Sequence, residues 1–198
     1  MQHLWMKPQP SLSSRIDPER HNGLSVVQDE YTDIVERVLD TLSLVDAPVE
    51  EDFDKLTRLA ARFISVPVAL LSFVEEDRDR QYFKSQIGLS GHWADSRQTP
   101  LSHSFCQYVK RDNKPFVVEN APRDPRVWNN LAIRDLDVQA YLGAPVHGPD
   151  GAPLGALCVI ESKPRDWQQD DIDAMVDLAG CVTDQIRLRA ALRRSYQL

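Results

Sequence analysis

The sequence predicts an α+β fold: a central antiparallel sheet of five to six strands, helices against one face, and less regular cover over the other. Three observations carry this expectation. The stretch Val138 to Glu161, VQAYLGAPVHGPDGAPLGALCVIE, reads as two apolar strands joined at Gly148-Pro149-Asp150-Gly151. Proline presets φ at the first corner of that turn, and Asp-Gly accepts the rest. The second strand has no polar face, since Leu154, Ala156, Cys158 and Ile160 alternate with Gly155, Leu157 and Val159. Such a strand lies mid-sheet with both sides covered. Finally, helical periodicity precedes and follows the strands, which supplies one of the two covers.

Length and charge narrow the class. A chain of 198 residues predicts one domain of about 150 residues plus extensions. The net charge of −7 leaves no basic stripe for a phosphate backbone, so no nucleic-acid partner is expected. The three cysteines Cys106, Cys158 and Cys181 cannot all pair and show no metal-ligand spacing. They read as reduced thiols of a soluble, cytoplasmic protein. No segment has the length and apolarity of a membrane span, and no membrane partner is expected.

In chain order, residues 1–27 read as a mobile tail broken by Pro8, Pro10, Pro18 and Gly23, with Leu4-Trp5-Met6 as its one apolar cluster. The domain is expected over 28–198. An amphipathic helix is predicted over about 29–42, with Tyr31, Ile34, Val35, Val38, Leu39 and Leu42 on one face. A second helix follows Pro48, opening on Glu50, Glu51 and Asp52 where the dipole favours anions, with Phe53, Leu56, Leu59, Ala60, Phe63 and Ile64 as its stripe. Val66–Val74 is a buried strand. Arg80–Ile87 alternates as a half-exposed edge strand would, and the two form a hairpin. Gly88 to Gln98 reads as loop.

Ser102 is the expected N-cap of a short helix whose inner side is Phe105, Cys106 and Val109. Pro115–Glu119 is a short strand. Ala121–Asp137 is a long irregular crossover, the kind of segment that more often binds than merely connects. After the central hairpin, Asp166 and Gln169 have capping-box spacing for a helix over about 167–194. Ile172, Met175, Ala179, Val182 and Ile186 repeat in the 3-4 pattern of a coiled-coil seam, and Gly180 is read as allowing close helix approach.

This order resembles the GAF sensor domains of bacterial signal transduction. The resemblance is carried by FDKLTRLAARFISVPVALLSFVEEDRDRQYFKSQIGL, TPLSHSFCQYV, PFVVENAPRDPRV, AYLGAPVHGPDGAPLGALCVI and the terminal helix, together about Leu39 to Arg189. It implies a GAF/PAS-like sheet of order 2-1-5-4-3, terminal helices on one face, and a small-molecule pocket under loops on the other. Pro145 inside a central strand calls for a bulge or a missing ladder bond. Bilin-carrying members have histidine after the cysteine of the short helix, where this chain has Gln107. The cysteine settings of free-methionine-sulfoxide reductases and the Asn-Lys-X-X-Phe-Asp-Glu signature of cyclic-nucleotide binders are absent. The resemblance therefore points to the general sensor group, with no cofactor and no catalytic residue assigned.

Phe73, Phe105, Trp128 and Tyr141 are the expected walls of the pocket, with Ser104, Asp124 and Arg126 as polar hooks. Gly143, Ala144 and Gly155 are expected to give it room. Cys106 and His103, three residues apart, complete the candidate ligand set; with no further ligand identifiable, no metal site is assigned. A homodimer is expected through Ile34, Val35, Val38 and Leu42 of the first helix and Ile172, Met175, Ala179, Val182 and Ile186 of the last. An unidentified small-molecule effector and a downstream signalling protein complete the expected partners. Two alternatives stay open: a thiol-dependent redox enzyme centred on Cys106, and a structural dimerisation module without ligand.

Overall fold

Two hairpins build the sheet. The computed structural model describes residues 32–196, so the expected tail, its Leu4-Trp5-Met6 cluster and Tyr31 lie outside the described residues. The strands are β1 (Val68–Glu75), β2 (Arg80–Ile87), β3 (Gln98–Pro100), β4 (Phe116–Val118), β5 (Ala140–His147) and β6 (Pro153–Glu161). They form one antiparallel sheet of order β3-β2-β1-β6-β5-β4. Removing β3 gives the expected order. β3 is a three-residue addition at the β2 edge, too short to show a period in the sequence.

The helices are α1 (32–41), α2 (Glu51–Ile64), α3 (Gly91–Ser96), α4 (Cys106–Asp112), α5 (Ala132–Asp135) and α6 (Gln169–Tyr196). α3 falls in the predicted loop. It buries none of its residues, so no apolar stripe announces it. The cap of α6 is also displaced. Asp166 does not cap; instead the Asp171 carboxylate accepts from the Gln168 amide at 3.2 Å, two residues further on.

α1, α2 and α6 cover one face of the sheet through Val35, Leu39, Phe53, Ile64, Met175, Val182 and Ile186, against Leu71, Leu142, Ala144, Leu157 and Val159. This packing corrects the expected dimer seam. Val35, Leu42, Met175, Ala179, Val182 and Ile186 are all buried within the chain's own core, because the 3-4 repeat of α6 faces its own sheet. Of the expected seam Ile34 does face outward, and α6 adds Val176, Leu188 and Leu192, which the expectation did not include. A Cβ on Gly180 would meet nothing within 4 Å beyond its own helix backbone among the described residues, so no close helix approach occurs there.

β2 is not the half-exposed edge strand expected from its alternation. β3 and the segment before α2 cover it, and Gln81, Lys84 and Ser85 are buried with its aromatics. Lys84 reaches the Glu50 carboxylate at 2.6 Å and donates to the carbonyls of Ser43 and Pro48. β5 runs through Pro145, which lies opposite Ala156, and its register against β6 shifts one step later, between Val146 and His147. β4 pairs only with Tyr141–Gly143, so no β4 residue stands beside Pro145. Among the described residues, no helix is long and apolar enough to cross a membrane.

Candidate functional site

The second face of the sheet is closed by α4, α5 and the connections around them. Leu70 and Val74 of β1, Phe83 of β2, Phe116 and Val118 of β4, Tyr141 of β5, and Ala156, Cys158 and Ile160 of β6 meet Phe105, Cys106 and Val109 there. Aromatic contact organises the layer: Phe105 and Phe116 lie 5.2 and 6.2 Å from the Tyr141 ring, centroid to centroid.

Most of the room expected for a ligand is taken by these side chains. A Cβ on Gly143 would sit 2.2 Å from the Tyr141 hydroxyl, so the absence of a side chain there admits Tyr141 itself. A Cβ on Gly155 would sit 2.0 Å from the Ser72 carbonyl oxygen; that glycine allows two strands to meet and opens no pocket. Ala144 faces the helices. Phe73 does too, because the strand alternation places Ala69, Leu71 and Phe73 on the helix side and Leu70 and Val74 on the other.

What remains is a cavity of about 20 Å³, lined by residues that include Leu70, Gln81, Phe83, Thr99, His103, Phe105, Cys106, Tyr141 and Cys158. That volume holds one or two water-sized molecules. Leu89, His103 and Leu136, each only half-buried, border it. One end is polar. Gln81 Oε1 and Thr99 Oγ1 are buried and have no hydrogen-bond partner. Each buried, unpaired oxygen costs about 1–3 kcal/mol, so both are poised to take a donor.

Of the sequence-predicted ligand residues, the structure brings His103, Phe105, Cys106 and Tyr141 together at this cavity. His103 hydrogen-bonds Asp135 through Nε2 and Ser102 through Nδ1, both at 3.0 Å, and its ring lies against Trp93. Its contacts therefore lie outside α4, and it shares no helix face with Cys106. The Asp135 carboxyl is held far below its usual range by hydrogen bonds from Arg134 and His103. Ser104, not Ser102, caps α4: its Oγ accepts from the Gln107 amide, while its carbonyl accepts from Gln107 and Asn130. Among the described residues no group of histidine, cysteine, aspartate and glutamate could hold a metal ion.

Asp124, Arg126 and Trp128 do not reach the cavity. Asp124 and Arg126 are bound to each other, and Arg126 donates to the Val117 carbonyl at 2.7 Å while its guanidinium covers Phe116. The Arg126 hydrogen bond holds Asp124 below its usual pKa. Trp128 is 63% exposed. Trp128→Ala is accordingly expected to change stability by no more than about 0.5 kcal/mol and to leave any ligand effect intact, read by thermal unfolding with and without ligand.

Sequence reasoning missed Gln81 and Thr99. Gln81 stands in a strand read as half-exposed and Thr99 directly after the expected loop, and only the pairing of β3 with β2, which sets Gln81 opposite Thr99, brings them together in the interior. It also took Cys158 as plain core. The Cys158 sulfur lies 3.6 Å from that of Cys106, and the Tyr141 hydroxyl lies 3.2 Å from Cys106 Sγ.

Known proteins agree with this architecture. The model of the GAF domain matches residues 48–186. A cyclic di-GMP phosphodiesterase of Pseudomonas aeruginosa is 36% identical over 128 residues, covering 64% of this chain and 21% of that protein. The diguanylate cyclase DgcP of Escherichia coli is 30% identical over 93 residues, covering 46% of this chain and 26% of the relative. The chain thus spans about a quarter or less of these curated relatives. The crystal structure of the GAF domain from an Acinetobacter phosphoenolpyruvate-protein phosphotransferase superposes with a TM-score of 0.59 at 19% identity, covering 83% of this chain and 98% of that one. With the matched model extending over well over half of the sequence, the chain belongs to the GAF domain family.

Proposed function

We propose that this chain is a sensory module of signal transduction that takes a small molecule at the cavity beneath α4 and transmits its presence through α6. The observation that carries the reading is the pair of unpartnered buried oxygens, Gln81 Oε1 and Thr99 Oγ1, on residues lining an otherwise apolar cavity. A ligand with a hydrogen-bond donor satisfies them, and it must be very small or must displace Leu89 and Leu136 to enter. Cys158 and Tyr141 of the cavity wall stand on β6 and β5, and β6 leads directly into α6. A ligand that prefers one arrangement of these strands biases the helix by differential contact.

The outward residues Ile34, Leu188 and Leu192, rather than the buried seam, are the surface through which two copies would associate. The curated relatives support an output in cyclic di-GMP signalling, with a downstream protein or domain carrying the chemistry; the reading assigns no turnover to this chain.

Thr99→Val tests it. Removing an unpaired hydroxyl from a buried site leaves the free protein as stable as before or more so. A ligand found by a thermal-shift screen of nucleotides, amino acids and small carboxylates, at a hundredfold excess over its Kd, stabilises the parent by about 2.7 kcal/mol. Thr99→Val should lose most of that gain. A screen without a stabiliser, or a stabiliser indifferent to Thr99→Val, removes the proposal.

A further inference from the structure

We infer that Cys106 and Cys158 form an oxidant-sensitive dithiol, closed to a disulfide by hydrogen peroxide or an oxidant of similar size. The sulfurs are 3.6 Å apart, both cysteines are buried, and both line the small cavity. Two thiols from segments 52 residues apart meet here, one at the first residue of α4 and one in the middle of β6.

The surroundings differentiate the two groups. Burial pushes both thiols up. On Cys106 this is outweighed by contacts with Cys158, with the Ser72 hydroxyl and with the Tyr141 hydroxyl, which together hold it below the ordinary thiol value. Ser72 Oγ is buried and has no hydrogen-bond partner. Burial pushes the ionisation of Tyr141 well up, and its hydroxyl shares a hydrogen bond with the sulfur at 3.2 Å. Cys158 stays well above its ordinary value, chiefly from burial. The thiolate is the nucleophile; Cys106, at the first residue of α4 with the Tyr141 hydroxyl 3.2 Å from its sulfur, is assigned the attack, and Cys158 resolves.

The chemistry balances in two steps. Cys106 Sγ attacks one peroxide oxygen: the S–O bond forms, the O–O bond breaks, and the departing hydroxide takes the proton that Cys106 released, leaving as water. Cys158 Sγ then attacks the sulfenic sulfur: the S–S bond forms, the S–O bond breaks, and hydroxide leaves with the Cys158 proton as a second water. Peroxide is reduced, and the two thiols lose two electrons and two protons. The cavity of about 20 Å³ matches the size of this oxidant and excludes bulky disulfide reagents.

A disulfide needs about 2.05 Å between sulfurs, so the two must approach. Cys158 is held in the ladder between Leu70 and Gly143, whereas α4 packs on the sheet through its side chains and takes no part in the ladder; the short helix is the part that moves. Closure therefore draws α4 onto β6 and shrinks the cavity. It requires neither a ligand nor a second copy, so the test below stands apart from the proposed sensory function.

The fully reduced 198-residue chain is treated with graded hydrogen peroxide, quenched, unfolded, alkylated and mapped by peptide mass spectrometry. Exposed Cys181 serves as the internal reference. The expected result is joint loss of alkylation at Cys106 and Cys158 at doses that leave Cys181 mostly free, with a linked peptide two hydrogens lighter than the sum of its parts and restored by dithiothreitol. In Cys158→Ser the bridge is lost and dimedone labels Cys106. Should that variant fold poorly, the parent map decides alone. The inference is overturned if Cys106 and Cys158 stay alkylatable while Cys181 oxidises, or if oxidised Cys106 accumulates without the Cys158 link. A chain linked only through Cys181 overturns it as well.

Discussion

Ile186→Glu is expected to unfold the domain, whatever its effect on association. Ile186 is fully buried between α6 and the sheet, together with Met175 and Val182. Truncating a buried isoleucine already costs about 2–5 kcal/mol, and a carboxylate in its place brings an unpaired charge into an apolar layer with no basic partner. The sum, at least about 4 kcal/mol, rivals the whole stability of many domains of this size, about 5–15 kcal/mol. Urea unfolding followed by far-ultraviolet circular dichroism should show a large fall in midpoint or a chain unfolded from the start. Leu188→Glu is the control, because Leu188 is 55% exposed on the same helix. Its stability should stay within about 0.5 kcal/mol of the parent, and any change in light scattering would then report association alone. A parent-like midpoint for Ile186→Glu would mean that α6 does not pack as described.

The contrast between these two residues shows how much the sequence discloses. Periodicity identified α6 and its apolar face correctly, but an apolar face only says that something covers it. A 3-4 repeat against a partner helix and one against a sheet look alike over this length. The order of β2, β1, β6, β5 and β4 was legible because the hairpins and the family resemblance agree. The filling of the expected pocket was not, since Gly143 and Gly155 signal a close approach without saying of what; here Tyr141 and the β1 backbone make it. The candidate site was half legible. Phe105, Cys106 and Tyr141 lie in strong apolar patterns, whereas Gln81 and Thr99 become buried only through β3, three residues long, whose pairing no local pattern announces. Lys84 is the sharpest case: a lysine in an alternating strand reads as solvent-facing, yet it is wholly buried because Glu50, 34 positions earlier, receives it.

That pair gives the second large effect. Lys84 Nζ lies 2.6 Å from Glu50 Oε1, with the lysine side chain fully buried and the glutamate side chain 31% exposed. Arg189 of α6 binds the same carboxylate and also donates to the Leu42 carbonyl at 3.1 Å. Glu50 therefore ties β2 to α6 across the start of α2. Glu50→Gln leaves the Lys84 amine, whose charged form burial already disfavours, buried and without its counter-ion. Breaking a fully buried pair costs about 3–5 kcal/mol; partial exposure of Glu50 brings the expectation to about 2 kcal/mol. Lys84→Met should cost less, since Glu50 keeps Arg189 and the methionine fills the apolar stem's place. The pH dependence has a definite sign. Burial raises the Glu50 pKa, but hydrogen bonds from Arg189 and Lys84 outweigh it and hold the group below its ordinary value of 4.5. A carboxyl depressed in the folded state contributes its stabilisation in full above the unfolded value, and that contribution is lost as pH falls through the folded one. Urea midpoints for parent and Glu50→Gln should thus differ most near neutrality and converge as the pH drops below about 4.5. A gap that stays constant across that range would show that the glutamate acts by packing and not by its charge.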